Sequence, residues 1–198
     1  MADQGAPACV TPIDVLATPP GGPRGAGIAI RERRLLGKLV VRGDTRDTDF
    51  IDTVQGTVGT APPTTPNRCV FHDTLAVIWL GPDEWLVVTP PGREEGLLDA
   101  LAAEGIVVTD VSDQSTVIRL TGPRAREVLA QGCALDLHPR SFRVGSAAQS
   151  RIGRIRTTLW QVDDQPGYDL LVSCSFAAWL WAWLTDAGGE FGVRVEAG

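Results

Sequence analysis

The chain has 198 residues, of which 43% are hydrophobic and 21% are charged, as in an ordinary folded globular protein. Its formal net charge of −6 disfavours binding to nucleic-acid phosphates, so we expect no nucleic-acid partner. The sequence contains no apolar stretch of membrane-spanning length and no secretory signal at its start, and these features predict a cytoplasmic protein without a membrane partner.

The first 26 residues are rich in proline and glycine, which disfavour helices and central strands. We therefore predict an extended N-terminal arm over 1–26. The GGPRGAG run within it lacks the residue order of a phosphate-binding loop and does not follow a strand, so it is interpreted as a linker.

The segment 27–108 has the element order of a ferredoxin-like unit. Hydrophobic periodicity and turn residues predict these elements in order: one or two strands between Gly27 and Arg42, a short helix capped by Asp47, a hairpin of 75–80 and 84–89, a helix ended by Gly105, and a strand over 106–111.

The segment 109–198 repeats a similar order of elements. The predicted elements are a strand over 115–120, a helix opened by Pro123, strands over 142–150, 152–162 and 168–173, a helix over 175–187, and a strand over 191–195. The sequence thus predicts an α+β fold of two tandem ferredoxin-like units with antiparallel sheets, the second unit spanning 109–198.

Candidate catalytic groups are sparse. Asp110 and Asp113 could act as general bases, but paired acids beside serines are more typical of a turn. The two histidines, His72 and His138, stand alone, and the widely spaced Cys9, Cys69, Cys133 and Cys174 show no zinc-ligand pattern. No nucleophile elbow or dinucleotide-binding fingerprint is present, so we predict neither catalytic nor cofactor-binding nor metal-binding residues.

Tryptophan and arginine side chains are the candidates for a protein interface. Trp181 is predicted to project away from the apolar face of the last helix, where it would either cover the neighbouring unit or anchor a partner. Two arginine clusters, 31–34 and 151–156, fit solvated surfaces, while Arg154 and Arg156 could instead meet an acidic patch on a partner.

Three strings carry a resemblance to a known family: IWLGPDEWLVV (78–88), DVSDQSTVIRLTGPRAREVLAQGCALDL (110–137) and SFAAWLWAWLTDAG (175–188). Together they resemble the gamma subunit of heterotetrameric sarcosine oxidases. The second string is also similar to the folate-binding fold of glycine-cleavage aminomethyltransferases.

The resemblance implies an αβγδ complex that demethylates sarcosine oxidatively to glycine, with hydrogen peroxide and either formaldehyde or 5,10-methylenetetrahydrofolate as further products. It implies that FAD, FMN, NAD and zinc lie in other subunits, and that the gamma subunit is non-catalytic and packs mainly on alpha. Related oxidases of other N-methyl amino acids have similar gamma chains.

One departure separates the chain from the aminomethyltransferases. The resemblance implies that those enzymes have an Asn-Gly segment followed by acids near the folate. In this chain Asn67 is the only asparagine, and it is followed by arginine. A free-standing folate-binding one-carbon protein therefore remains the weaker alternative.

Overall fold

The computed structural model describes residues 11–16 and 20–198, apart from the side chain of Val15. The described part holds eleven strands and four α-helices: β1 (Ile28–Arg33), β2 (Gly37–Arg42), α1 (Thr48–Val58), β3 (Cys69–His72), β4 (Leu75–Gly81), β5 (Glu84–Thr89), α2 (Glu94–Ala103), β6 (Val107–Asp110), β7 (Ser115–Thr121), α3 (Ala125–Ala130), β8 (Ala147–Ile152), β9 (Ile155–Asp163), β10 (Gly167–Ser173), α4 (Cys174–Ala187) and β11 (Val193–Val195).

The first sheet has the order β3-β4-β5-β2-β6, and each of its pairs is antiparallel. Without the short edge strand β3, the elements β2-α1-β4-β5-α2-β6 reproduce the predicted ferredoxin-like arrangement. The antiparallel α+β fold expected from the sequence is confirmed.

The second sheet has the order β11-β1-β7-β10-β9-β8. Strand β1 lies between β11 and β7, parallel to the former and antiparallel to the latter. The remaining strands again follow the ferredoxin-like order, so the second unit is a ferredoxin-like sheet enlarged by one inserted strand and by the edge strand β8.

The predicted division of the chain places β1 in the 27–108 unit. In the structure, β1 pairs in the second sheet instead. Ile28 and Ile30, two residues apart, bury one face of β1 in the second core. Leu35 then adopts a left-handed φ of 55° in the turn before β2, where the chain passes from one sheet to the other.

The described part of the arm is folded against the second unit rather than extended. Residues Asp14–Leu16 form a 3-10 turn, Ile13 packs in the second core, and Gly21 bridges to Val195 of β11. The GGPRGAG run makes backbone hydrogen bonds to the segment around β11, in agreement with a linker.

The two sheets pack face to face, with a pair of helices on each outer face. Alternate residues of β5 show this: Trp85 and Val87 join the core under α1 and α2, whereas Leu86 and Val88 join the core between the sheets. On the other side, α3 and α4 cover the outer face of the second sheet. The order of layers is helix, sheet, sheet, helix.

Local sequence features explain several elements. Asp47 caps α1 by accepting a hydrogen bond from the Asp49 N–H, and Gly59 ends the helix at φ 91°. In the 75–89 hairpin, the buried Trp85 indole donates a 2.9 Å hydrogen bond to the Pro63 carbonyl and so fixes the preceding loop. In the described ranges, no helix combines the length and the apolar character that a bilayer crossing requires.

Candidate functional site

The acidic turn at 110–115 is structural. The Asp110 carboxylate accepts hydrogen bonds from the backbone N–H and the hydroxyl of Ser112, which is the arrangement of an aspartate-stabilised turn. The hydroxyl oxygen of Ser112 in turn accepts a 2.9 Å bond from the N–H of Lys38. The turn therefore holds β2 through Asp110 and Ser112, while Asp113 lies at the cavity described below.

The histidines are not brought together with other catalytic groups. His72 lies 3.7 Å from the exposed Asp73, and His138 accepts a hydrogen bond from the Arg140 N–H in its own loop. Within residues 11–16 and 20–198, the structure shows no cluster of three or more metal-ligating side chains.

A buried ion cluster occupies the inner face of the second sheet. Asp169 is fully buried on β10 and accepts two hydrogen bonds, of 2.7 and 2.8 Å, from Arg119. Arg33 donates a third bond, also 2.7 Å long, to the same carboxylate. Arg33 is thus paired with a buried carboxylate. The interpretation of the arginine cluster 31–34 as a solvated surface is therefore wrong for this residue.

Trp181 points in the opposite direction from the one predicted. It lies in the second core with 4% of its surface exposed, together with Ala177, Leu180 and Leu184 on the same face of α4. The helix is apolar almost all round, so its sequence allows more than one i, i+3, i+4 stripe. Of the stripe predicted from the sequence, Leu180 is buried and Trp183 and Ala187 pack against the same core, whereas Phe176 is exposed. Trp181 is therefore not available to anchor a partner.

The exposed aromatic residues of α4 are Phe176 and Trp179, with 48% and 41% of their surfaces accessible. Trp179 lies over Gly153 in the tight turn between β8 and β9, where a Cβ added to the glycine would come within 2.8 Å of the indole ring. Since Gly153 also has φ 57°, both the turn and the close approach of Trp179 depend on glycine at this position.

Three arginines flank the same turn. Arg151, Arg154 and Arg156 are exposed, and none of them takes part in a salt bridge among the described residues. We refer to these arginines with Phe176 and Trp179 as the aromatic–arginine surface. It presents positive charge beside large apolar rings.

An apolar cleft of about 420 Å³ adjoins this surface between the two sheets. Arg156 and Phe176 lie at the cleft, and Leu80, Leu86 and Leu171 contribute apolar lining from both sheets. The aromatic–arginine surface therefore continues into a groove that both units build.

A second cavity, of about 530 Å³, lies near the junction of β1 and β2 and is lined by charged, polar and apolar side chains. We refer to it as the lysine cavity, and its lining residues are Thr11, Pro12, Glu32, Leu35, Leu36, Lys38, Glu94, Ser112, Asp113, Ser115, Thr116 and Cys174. The described arm, both sheets and the first turns of α2 and α4 all contribute.

Lys38 is the unusual residue of this cavity. It is 3% exposed, and its ammonium donates a 2.6 Å hydrogen bond to the Leu36 carbonyl. Burial lowers the pKa of Lys38, while Cys174, Asp110, Asp113 and Glu94 act in the opposite direction. Lys38 takes part in no salt bridge within the part of the chain that the structure describes.

The carboxylates of the cavity differ in their partners. Glu32 accepts hydrogen bonds from the hydroxyls of Thr11 and Thr116. Glu94, in the first turn of α2, has one oxygen that is buried and has no hydrogen-bond partner among the described residues. Gly37 leaves room for this carboxylate, since a Cβ at that position would lie 2.6 Å from the same oxygen.

The described lining of the cavity offers charged binding groups and a thiol that is not activated. Burial raises the pKa of the Cys174 thiol, which donates a 3.2 Å hydrogen bond to the Asp113 carbonyl. A protonated thiol is a poor nucleophile at neutral pH. The arrangement is suited to holding a ligand by charge.

The lysine cavity was not predicted because its lining residues lie in five separate segments of the chain. One signal was present in the sequence. Lys38 and Val40 lie on one face of β2, and Leu39 and Val41 lie on its opposite face, which is buried. A lysine on a strand that is apolar on both faces must be buried or lie at a functional position.

The family model described as the sarcosine oxidase, gamma subunit family matches residues 42–190 of this chain. Among curated proteins, the sarcosine oxidase subunit gamma of Corynebacterium sp. (strain P-1) is 42% identical over 124 residues, which is 62% of this chain. The matched part spans 61% of that relative's length and a similar share of two further gamma subunits.

The structural comparisons agree with the family model. A chain of the heterotetrameric sarcosine oxidase from Corynebacterium sp. U-96, solved with pyrrole 2-carboxylate, superposes with a TM-score of 0.83 and 28% identity, covering 92% of this chain and 96% of that one. The glycine cleavage system aminomethyltransferase T from Bartonella henselae superposes with a TM-score of 0.60 at 14% identity, covering 87% of this chain and 48% of that one.

The superposition on aminomethyltransferase T confirms the expected aminomethyltransferase-like architecture, and at 14% identity it shows the fold alone. The family model, by contrast, covers most of the chain, from the last residue of β2 to the residues that follow α4, including the aromatic–arginine surface. The chain belongs to the sarcosine oxidase gamma subunit family.

Proposed function

We propose that the chain is a non-catalytic, structural subunit of a cytoplasmic heterotetrameric sarcosine oxidase. Its family membership and the likeness to a chain of the heterotetrameric enzyme from Corynebacterium sp. U-96 support this proposal. In such a complex, alpha, beta and delta subunits would hold FAD, FMN, NAD and zinc, and this chain would contribute surface to the assembly.

The reaction of the complex would be the oxidative demethylation of sarcosine to glycine. Hydrogen peroxide and either formaldehyde or 5,10-methylenetetrahydrofolate would be the other products. A related N-methyl amino acid is the alternative substrate, because a subunit that does not touch the reacting atoms places no constraint on the substrate.

The observation that carries the structural role is the aromatic–arginine surface. Two large aromatic rings are left exposed beside three arginines that have no carboxylate partner among the described residues. Aromatic residues and arginine are enriched at protein interfaces, where arginine pairs bidentately with carboxylates. We infer that this surface packs on the alpha subunit, against an apolar pocket rimmed by acids, with Arg154 and Arg156 as predicted from the sequence and Trp179 in place of Trp181.

Co-expression of the chain with its partner subunits tests this proposal. We expect the double variant Trp179→Glu/Arg154→Glu to reduce co-purification of the alpha subunit by at least about tenfold, because it buries repulsive charge in the interface. Phe176→Glu tests the same surface independently of the Gly153 turn.

The matched control is Arg46→Glu, in the loop before α1, whose side chain is 89% exposed. It should leave assembly unchanged. Normal assembly of both surface variants, with circular dichroism showing native folding, would exclude this surface as the docking site.

A free-standing folate-binding protein is the second candidate, and the apolar cleft favours it. Leu80, Leu86, Leu171 and Phe176 could cover a flat ring system there. The measurement is calorimetric titration of the full chain with tetrahydrofolate. The structural role predicts no heat of binding from this cleft, whereas stoichiometric binding that Phe176→Glu abolishes would establish the second candidate.

A further inference from the structure

We propose that the lysine cavity binds the zwitterion of a small α-amino acid, with the ligand carboxylate on Lys38 and the ligand ammonium on Glu94. The proposal concerns a different part of the molecule from the aromatic–arginine surface. It therefore stands or falls independently of the assembly proposed above.

Lys38 supplies the group for the ligand carboxylate. An ammonium has three donors, and the structure accounts for one of them in the bond to the Leu36 carbonyl. A buried charge is costly unless it is paired and hydrogen-bonded, and burial here already lowers the pKa of Lys38. A carboxylate in the cavity would pair with this ammonium and fill its free donor positions.

Glu94 supplies the group for the ligand ammonium. One of its oxygens is buried and accepts no hydrogen bond from the described residues, and Glu94 itself lines a cavity large enough for a ligand. The dipole of α2 stabilises the negative charge in the first helical turn, but it does not replace a donor for that oxygen. An ammonium group would provide the missing donor and a compensating charge.

Of the other two acids of the cavity, Glu32 does not need the ligand. The two threonine hydroxyls already satisfy Glu32. Lys38, Glu94 and Asp113 line the same cavity, and none of the three takes part in a salt bridge among the described residues. A ligand that carries both charges complements them better than a lone anion or a lone amine.

The size and lining of the cavity indicate a small ligand with a modest apolar substituent. About 530 Å³ is within the range of small-molecule sites. Leu35 and Leu36 provide apolar contact beside Lys38.

Calorimetric titration of the full chain with glycine, sarcosine, acetate and methylammonium tests the inference. We expect the two amino acids to bind at one site per chain, and acetate and methylammonium to bind at least about tenfold more weakly because each meets only one of the charged groups. Glycine tests the zwitterion class by itself, while the choice of sarcosine follows from the proposed function.

Two variants assign the binding to the cavity. Glu94→Gln and Lys38→Met should each weaken glycine binding by at least about tenfold. Glu95→Gln, which changes the exposed neighbouring acid in the same helical turn, should leave it unchanged. Glu94→Gln keeps the side-chain shape, so it remains informative even if Lys38→Met alters the fold.

Several outcomes would overturn the proposal. These are the absence of binding to a chain that circular dichroism shows to be folded, equal binding of methylammonium and glycine, or full binding by Glu94→Gln. Absence of binding together with normal co-purification of the alpha subunit would remove the amino-acid site and leave the structural role intact.

Discussion

The two buried charged regions of the chain differ in how completely their charges are paired. In the cluster on the second sheet, the carboxylate of Asp169 receives three hydrogen bonds from Arg33 and Arg119. In the lysine cavity, Lys38 is as deeply buried as most core residues, yet no carboxylate pairs with it in the described ranges.

This difference separates a structural role from a binding role. Buried ions that are paired and hydrogen-bonded to one another fix the register of strands, and they have no free donor or acceptor with which to bind a ligand. Buried ions that face a cavity without partners reduce stability, and a ligand of complementary charge can recover that loss. Variants in the two regions should therefore change stability in opposite directions.

The largest effect is expected at Asp169. Asp169→Ala leaves Arg33 and Arg119 without their shared anion on a mostly buried face, and it should lower the free energy of unfolding by about 3 kcal/mol. The value lies at the lower end for buried pairs because both arginines retain some contact with water. Urea denaturation monitored by tryptophan fluorescence measures it.

The matched control is Glu127→Ala, which removes the ion pair of Glu127 with Arg124. Both side chains are about half exposed, so water screens the pair and the change should cost less than about 1 kcal/mol. If both variants lose equal stability, the Asp169 cluster is not the structural element that its burial indicates.

The fold was largely predictable from sequence because most elements have clear local signals. Periodicity located the 75–89 hairpin, α2 and α3, and Asp47 and Gly59 mark the ends of α1 through capping. The predicted order of elements within each unit also agrees with the ferredoxin-like arrangement of the sheets.

Features that depend on distant contacts were not predictable. Strand β1 pairs in the second sheet because Ile28 and Ile30 are buried in the second core. Both cores are apolar, so the sequence of β1 does not show which of them buries these residues. The direction of Trp181 was ambiguous because α4 is apolar on more than one side. The expected strand at Phe142 is instead a buried turn position before β8.

The candidate site was the least predictable part of the chain. Lys38, Glu32 and Glu94 lie on three different elements, and only the packing of the two sheets brings them to one cavity. Each residue taken alone has the appearance of an ordinary surface charge in the sequence. The burial of Lys38 without a salt bridge among the described residues is a property of the folded chain, and it has no local sequence signal beyond its place on an apolar strand.

The smaller effect, and one of opposite sign, is expected at Lys38. Lys38→Met replaces a buried ammonium by an apolar side chain of similar length, and it should raise the free energy of unfolding by about 1 kcal/mol at neutral pH in the absence of ligand. Arg42→Met at the exposed end of the same strand should change stability by less than about 0.5 kcal/mol. Thermal and urea denaturation measure both.

The pH dependence of the unfolding free energy gives a sharper test of the stability difference between the unmodified chain and Lys38→Met. Burial lowers the pKa of Lys38 in the folded chain below its ordinary value of 10.5. Between the folded pKa and 10.5 the unfolded chain binds the proton that the folded chain has released, so the unfolding free energy of the unmodified chain rises with pH in that window. The advantage of Lys38→Met should therefore be largest at neutral pH and shrink as the pH rises. An advantage that stays constant up to about pH 10 would show that the ammonium is not destabilised by burial, and the contrast with the Asp169 cluster would fail.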